Sequence, residues 1–221
     1  SGCTINELNC VRKQFDQVKG GGLAQAAAPA THISLILSDV VGNSLDSIGS
    51  GPTVPNSESA EEARRVLGRY GLLSDELAAV LADNEAADVP QVDLEYEPLI
   101  VGDIRQAAEA AQTAAQELGF ETQLLTWHLE GEAREIGKFA AALAKSAPSY
   151  HCLLLGGEST VTIQGAGGYG GRNLETVLAA ALAIEGQPQT AIASFATDGD
   201  DGPTDAAGAI ATGDTIAQAQ Q

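Results

Sequence analysis

Apolar positions along the chain recur with helical spacing in some stretches and crowd into short β-rich runs in others, and the two kinds alternate. Asn6–Val18 reads as a helix ending at Gly20-Gly21-Gly22, and Ile33–Ser38 as a buried strand. A long Gly/Ser/Pro-rich loop spans Gly42 to Pro55, and loops of that length usually carry function or move. Ser57 and Ser59 are candidate caps for an Ala/Glu/Arg/Leu-rich helix stopped at Gly71. Asp75–Ala82 adds a short helix, and Asp83–Gln91 a polar connection. Leu94–Val101 is a strand candidate, after which Asp103 caps a helix over Ile104–Leu118 that Gly119 stops. Strand Glu121–Leu125 and helix Gly131–Lys145 follow, and Ala147-Pro148-Ser149 breaks the pattern. Beyond it come strands Cys152–Leu155 and Thr160–Gln164, a glycine run, helix Arg172–Ile184 and strand Thr190–Ala196. The alternation predicts an α/β protein with a mostly parallel sheet and a boundary near Pro148.

Composition narrows the function without fixing it. At 221 residues with 44% hydrophobic content, the chain is globular in character. Its longest apolar runs fall far short of the roughly 18–20 residues of a membrane span, so a soluble, intracellular protein is expected. Thirty acidic against 11 basic residues give a formal charge of −19, which would repel a phosphate backbone and argues against nucleic-acid binding. Cys3, Cys10 and Cys152 with His32, His128 and His151 lack zinc-ligand spacing, and the thiols read as reduced. The absence of methionine leads us to expect a piece of a longer protein.

Three segments could carry chemistry. Gly165 to Gly170 matches G-x-G-x-x-G between a strand and a helix. It could hold a dinucleotide, another phosphate or carboxylate on free N–H groups, or be only a tight turn. Asp198, 28 residues beyond Gly170, lies too far along for the usual ribose contact. Four carboxylates between Asp198 and Asp205 follow the last strand. They suit magnesium with a nucleotide, a general base, or simply an acidic turn capping a helix, but lack the spacing of an EF-hand. Arg172 opens a helix, where acids are favoured, and therefore suggests an anionic partner. Arg12, Lys13 and Lys19 are the densest basic cluster, either anion-binding or a solvated helix face. Gly131 to Phe139 imitates a Walker A loop, but the spacing is one residue long and Phe139 stands where Ser or Thr would bind magnesium.

Six blocks, taken jointly and in order, resemble the glycerate 2-kinases of the MOFRL type. They are Val11-Arg12-Lys13 with Lys19-Gly20-Gly21, Leu37-Ser38-Asp39-Val40, Ser50-Gly51-Pro52-Thr53, Gly156-Gly157-Glu158, Gly170-Gly171-Arg172-Asn173, and Thr197-Asp198-Gly199 through Thr204-Asp205-Ala206-Ala207-Gly208-Ala209. The resemblance implies part of a Rossmann-like, mostly parallel sheet flanked by helices over residues 1–147. Residues 148–221 would begin a smaller mixed α/β MOFRL-like domain. It further implies ATP-dependent, magnesium-assisted phosphorylation of D-glycerate at its 2-hydroxyl, in a cleft between the domains.

Under that likeness Arg172 and Asp198 would be catalytic, Arg172 on the transferring phosphate or substrate carboxylate and Asp198 as base or magnesium ligand. Asp198 and Asp201 would hold the metal. Arg12, Lys13, Lys19, Asp39, Ser50, Gly51, Thr53, Gly156, Gly157, Glu158 and Asn173 would bind substrate or phosphate. Val41, Gly49 and Asp200 depart from the family's usual Pro, Ala and Thr and bear on substrate choice. The family also carries an N-terminal half, including an active-site lysine, ahead of the stretch matched here, so this stretch alone is expected to turn over weakly. Two other readings are an NAD(P)H-dependent hydroxypyruvate reductase, named within the same family, and a non-catalytic anion-binding remnant. Apolar surface left exposed would favour self-association, so a homo-oligomer is left open.

Overall fold

The computed structural model describes residues 3–86, 97–163, 165 and 168–220. It is mixed α/β, and its contacts divide the chain into two compact units, Ser1–Gly102 and Asp103–Gln221.

The first unit is mainly helical. Helix α1 (Ile5–Phe15) starts at a capping box, in which Thr4 and Glu7 satisfy each other's backbone N–H groups. Helix α3 (Ala60–Arg69) starts the same way, with Ser59 and Glu62. These helices and α4 (Asp75–Ala86) enclose Cys10, Ala60, Ala63, Leu67 and Leu81, with Val11 and Leu77 packed at the margin. A short helix, α2 (Gly22–Ala27), follows the glycines at 20–22, where the sequence pattern gave no periodicity long enough to announce it. Strands β1 (Leu35–Ser38) and β2 (Leu99–Asp103) pair as a two-stranded sheet and leave Leu35, Leu37, Leu99 and Val101 exposed. The strand expected from Leu94 lies partly outside the described residues, as does the end of the Asp83–Gln91 connection.

In the second unit, α5 (Ile104–Glu117) begins at Asp103, whose carboxylate accepts the Gln106 N–H at 2.7 Å. Strand β3 (Glu121–Glu132) runs parallel to β4 (His151–Thr160), with register shifts between Leu124 and Leu129. The expected strand Cys152–Leu155 thus runs on through Gly156–Glu158 to Thr160, whereas Val161–Ile163, expected as a further strand to Gln164, are not in a strand, and Gln164 lies outside the described residues. The reason is visible at Gly157, where a Cβ would lie 2.0 Å from the Leu129 carbonyl oxygen. Only a residue without a side chain lets the neighbouring strand pass that close.

Helix α6 (Ala133–Ser146) packs on α7 (Arg172–Ala183) through Gly137, whose absent Cβ would sit 2.1 Å from the Thr176 carbonyl oxygen. The glycine of the Walker-like stretch is therefore a helix-packing residue. Antiparallel strands β5 (Ala191–Phe195) and β6 (Gly208–Thr212) lie beside α7, and α8 (Thr215–Ala219) ends the unit. Val177, Ala181 and Ala211 form a small core between them. The opposite face of the β5–β6 pair leaves Phe195 and Ile210 exposed. Among the described residues the sheets are two-stranded: the long β3–β4 pairing is parallel, as the sequence pattern suggested, and β5–β6 adds an antiparallel pair.

Candidate functional site

Two of the first unit's motif segments, Gly20-Gly21 and Ser50-Gly51-Pro52, meet where their loops dock. Gly20 N–H donates to the Ser50 carbonyl at 3.0 Å, Gly21 N–H to the Gly51 carbonyl at 2.8 Å, and Leu23 N–H to the Pro52 carbonyl at 3.1 Å. This backbone lattice joins two segments that the sequence separated by thirty residues. Gly49, Ser50 and Gly51 are all left-handed, with φ of 59°, 63° and 62°. For Ser50 that is costly by roughly 1 kcal/mol or more, so its neighbours must hold it. They do: the buried Ser50 hydroxyl donates to the Oδ1 of buried Asn9 at 2.9 Å. Thr53 Oγ1 accepts from the Ser34 hydroxyl at 2.8 Å.

Lys13 does not reach solvent. Its side chain is 1% exposed, with Nζ 2.8 Å from Glu58 Oε2 and 3.9 Å from Asp46 Oδ2. The Ser44 hydroxyl, first, and the Lys13 ammonium hold the Asp46 carboxyl below the ordinary carboxylate range. Lys13 thereby ties α1 to the Gly42–Pro55 loop and to the segment entering α3. Lys19 pairs with Asp16 at 3.2 Å, whereas Arg12 and Asp39 are exposed, Asp39 immediately after β1. Of the basic cluster, Arg12 is the member whose head is open to an incoming anion. Asn9, Asp46 and Glu58 escaped the sequence reading. Asn9 and Lys13 lie four residues apart, hence on one helix face beside buried Cys10, and that spacing was the available signal.

In the second unit the first turn of α7 is the centre of the arrangement. Arg172, its first residue, donates from Nη1 to Glu158 Oε1 on β4 at 2.7 Å, and the two side chains are 33% and 41% exposed. This gives the arginine a fixed bearing with donors still facing solvent. Asn173 is buried, accepts from the Ser194 hydroxyl at 2.6 Å, and donates from Nδ2 to Asp201 Oδ1 at 3.1 Å. Asp201 is 1% exposed and also accepts the backbone N–H groups of Asn173 at 2.9 Å and Leu174 at 2.8 Å. Those are the N–H groups that a glycine turn entering a helix would offer to a phosphate. The anion at this helix start is the protein's own side chain.

Asp198, by contrast, is exposed on the turn, its Oδ1 accepting the Asp200 N–H at 3.2 Å. Of the two carboxylates expected at a metal, Asp198 is the open one and Asp201 the enclosed one. No cluster of three metal-ligating side chains forms among the described residues.

Gly156 and Gly157 lie within β4, beside Glu158, so they shape the strand that presents the arginine's partner. Ala166 and Gly167 of the glycine run lie outside the described residues. Ahead of that run, Glu132 accepts the Thr162 N–H and hydroxyl, both at 2.9 Å, and the N–H foremost holds its carboxyl below the usual range. An open hollow of about 250 Å³ lined by Leu125, Leu143, Pro148, His151 and Leu153 includes none of the motif residues. Among the described residues no helix is long and apolar enough to cross a membrane.

Comparison with known proteins gives two family matches: the domain of unknown function DUF4147 over residues 1–82 and the MOFRL family over residues 151–221. The chain is 39% identical to the D-glycerate 2-kinase of Thermotoga maritima, over 97% of this chain and 52% of that protein. It is 37% identical to a glycerate kinase of Macaca fascicularis, over 99% of this chain and 68% of that protein. The crystal structure of a glycerate kinase from Thermotoga maritima superposes with a TM-score of 0.80 at 39% identity, over 96% of this chain and 52% of that one. The chain thus spans about half the length of the Thermotoga relative.

Proposed function

Because the chain belongs to the MOFRL-type glycerate kinase family, we propose that it takes part in ATP-dependent phosphorylation of D-glycerate at the 2-hydroxyl. One observation carries the reading: a half-exposed arginine fixed at a helix start, with an exposed carboxylate on the turn clipped to that same start. Phosphoryl transfer demands little covalent chemistry from the protein and much positioning and charge stabilisation. Arg172 supplies the charge, on the transferring phosphoryl group or on the glycerate carboxylate. Asp198 either accepts the proton of the attacking hydroxyl or holds magnesium, a choice its exposure on the turn allows. In the first unit, exposed Arg12 and Asp39, Lys19 and the Ser50–Thr53 loop serve substrate or phosphate binding, with Lys13, Asn9 and the Gly20-Gly21 turn holding that loop.

Magnesium fits this donor set in one way. The ion keeps several waters and takes one or two carboxylates plus phosphate oxygens, so an exposed Asp198 suffices and a protein cage is not needed. Bound there with the nucleotide, it would neutralise phosphate charge.

The reductase reading has less support. A dinucleotide fingerprint seats the pyrophosphate on the helix N-terminus, and here Asp201 occupies those N–H groups. We retain within the proposal a family division at residues 147/148, supported by the matches at 1–82 and 151–221, and a cytoplasmic setting.

The test is ADP release from Mg·ATP with and without D-glycerate, run on this chain and on the protein extended to the length of its relatives. Glycerate-dependent release supports the kinase. Silence from a folded, extended protein, together with NADH oxidation by hydroxypyruvate, replaces it with the reductase.

A further inference from the structure

Asp201 is set apart from the other carboxylates of its turn by burial and by partners. It is 1% exposed, whereas Asp198 and Asp200 are exposed. Its two oxygens accept three hydrogen bonds, from the Asn173 N–H at 2.9 Å, Asn173 Nδ2 at 3.1 Å and the Leu174 N–H at 2.8 Å. Asn173 and Leu174 are the second and third residues of α7, the positions whose N–H groups a helix leaves unpaired. Normally the N-cap side chain satisfies them, but the N-cap here is Gly171. The reason for glycine is Asp201 itself: a Cβ on Gly171 would fall 2.4 Å from the Asp201 carboxyl carbon and 2.5 Å from its backbone carbonyl carbon. Gly202 is fitted as closely, since its Cβ would lie 2.5 Å from the Gly170 carbonyl oxygen. A side chain 28 residues away in sequence thus supplies the missing cap, and two glycines make room for it.

This places the two proposed catalytic side chains on one rigid piece. Arg172 immediately precedes Asn173, and Asp198 lies three residues before Asp201 on the docked turn. Ser194 on β5 extends the network through its 2.6 Å bond to Asn173. We infer that Asp201 is a positioning residue, which locks the turn bearing Asp198 to the helix start bearing Arg172 and does not ligate magnesium. The inference rests on the kinase reading for what the two positioned side chains do. A carboxylate offers about four acceptor sites. Three are filled here, and the side chain is 1% exposed, so the one site that remains, on Oδ2, is shut off from a hydrated cation.

The experiment compares wild type with D201N, D201A and D198N, each in the protein extended to the length of its relatives. Asparagine keeps the acceptor oxygen for Asn173 and removes the charge, whereas alanine removes the cap. The first readout is glycerate-dependent ADP release across glycerate and magnesium concentrations. A positioning role lowers kcat about 30-fold or more in D201A, leaves the glycerate KM within about threefold, and lets D201N recover about tenfold of the loss. The magnesium concentration for half activity stays within about twofold in D201N and rises in D198N. Equal losses in D201N and D201A, with a rise of about tenfold in magnesium requirement, would make Asp201 a metal ligand and overturn the inference.

The second readout needs no turnover: amide exchange at Asn173 and Leu174, and broadening of amide resonances by added Mn²⁺. Loss of protection at both amides in D201A, retention at Asn173 but not at Leu174 in D201N, whose single carboxamide oxygen serves one of them, and Mn²⁺ broadening indifferent to D201N support positioning. Broadening centred on Asn173 and Leu174 that disappears in D201N refutes it. Should the first readout find no turnover in any protein, the kinase reading fails and the second still decides what Asp201 does.

Discussion

The two units immobilise their motif loops by opposite electrostatic means. In the first, a buried cation, Lys13, gathers two carboxylates from the loop and from the approach to α3, while backbone bonds from Gly20 and Gly21 hold the loop's spine. In the second, a buried anion, Asp201, gathers three N–H donors at a helix start. The cation clamp joins separate side chains and leaves a left-handed serine held by one buried asparagine. The anion clamp completes a secondary-structure element that lacked its cap. In both, the most conspicuous charge of the motif is spent on the protein, and the side chain left open stands close by: Arg12 in one unit, Arg172 in the other.

If Arg172 acts on ligand rather than on the fold, its removal should affect turnover far more than stability. R172A is expected to lower glycerate-dependent ADP release by about 10²–10³-fold, the size of losing one preorganised charge donor in a transition state. Unfolding should shift by less than about 1 kcal/mol, because its partner Glu158 is 41% exposed. R172K should not restore the rate, since the single ammonium cannot both hold Glu158 and present a fork of donors. A rate loss matched by a comparable collapse in stability would put Arg172 among the clamps.

Lys13 should behave in the reverse sense. K13M leaves Glu58 and Asp46 without their cation and is expected to destabilise the first unit by about 2–3 kcal/mol. That is below the ~3–5 kcal/mol of a fully buried pair, because Glu58 remains 24% exposed. The double variant K13M/E58Q should recover part of the loss. Amide exchange over α1 reads it, and an unchanged profile would mean that Lys13 is dispensable to the loop.

Gly171 tests the other clamp. G171A forces a methyl into space held by Asp201, at an expected cost of about 1–3 kcal/mol. Denaturation followed by Trp127, the chain's single tryptophan, reports on the second unit. A neutral G171A would show that the turn can slide away from the helix at no cost.

These contrasts also mark how far the sequence could be read. Caps, stops and helix periods were local, so α3 and α5 were recognisable from Ser59, Asp103, Gly71 and Gly119, and α1, α6 and α7 from their spacing, although the first was carried to Val18, past its end at Phe15. The lengths of β3 and β4 were not, because what continues them past Gly156 and Gly157 is the passing backbone of a partner strand. Strand β6 was missed for a like reason: Gly208–Thr212 is too short to show alternation and gains its identity from β5. At the sites, the motif blocks located Arg172, Asn173, Glu158 and Asp201 together, but nothing in spacing alone separated a capping aspartate from an exposed one. That distinction is burial, and burial is set by tertiary packing.

The smallest expected effect concerns acid. Asp46 is held below its ordinary pKa chiefly by the Ser44 hydroxyl and, less, by Lys13. A carboxyl whose folded-state value is lowered contributes stability that is complete above the unfolded value, about 4, and is lost as the pH falls through the folded one. Amide protection over Ile48–Ser50 should therefore be flat from neutrality to about pH 5 and decline below it. Glu7 and Glu62 are lowered as well, by backbone N–H groups at the two capping boxes, so the wild-type decline alone does not identify Asp46. The S44A variant does. Removing the principal cause should bring Asp46 back toward its ordinary value and weaken the acid decline over Ile48–Ser50, while the starts of α1 and α3, whose capping glutamates are untouched, keep theirs. An S44A profile identical to wild type across the loop would mean that the hydroxyl does not hold Asp46. The cation clamp would then depend on Lys13 and Glu58 alone.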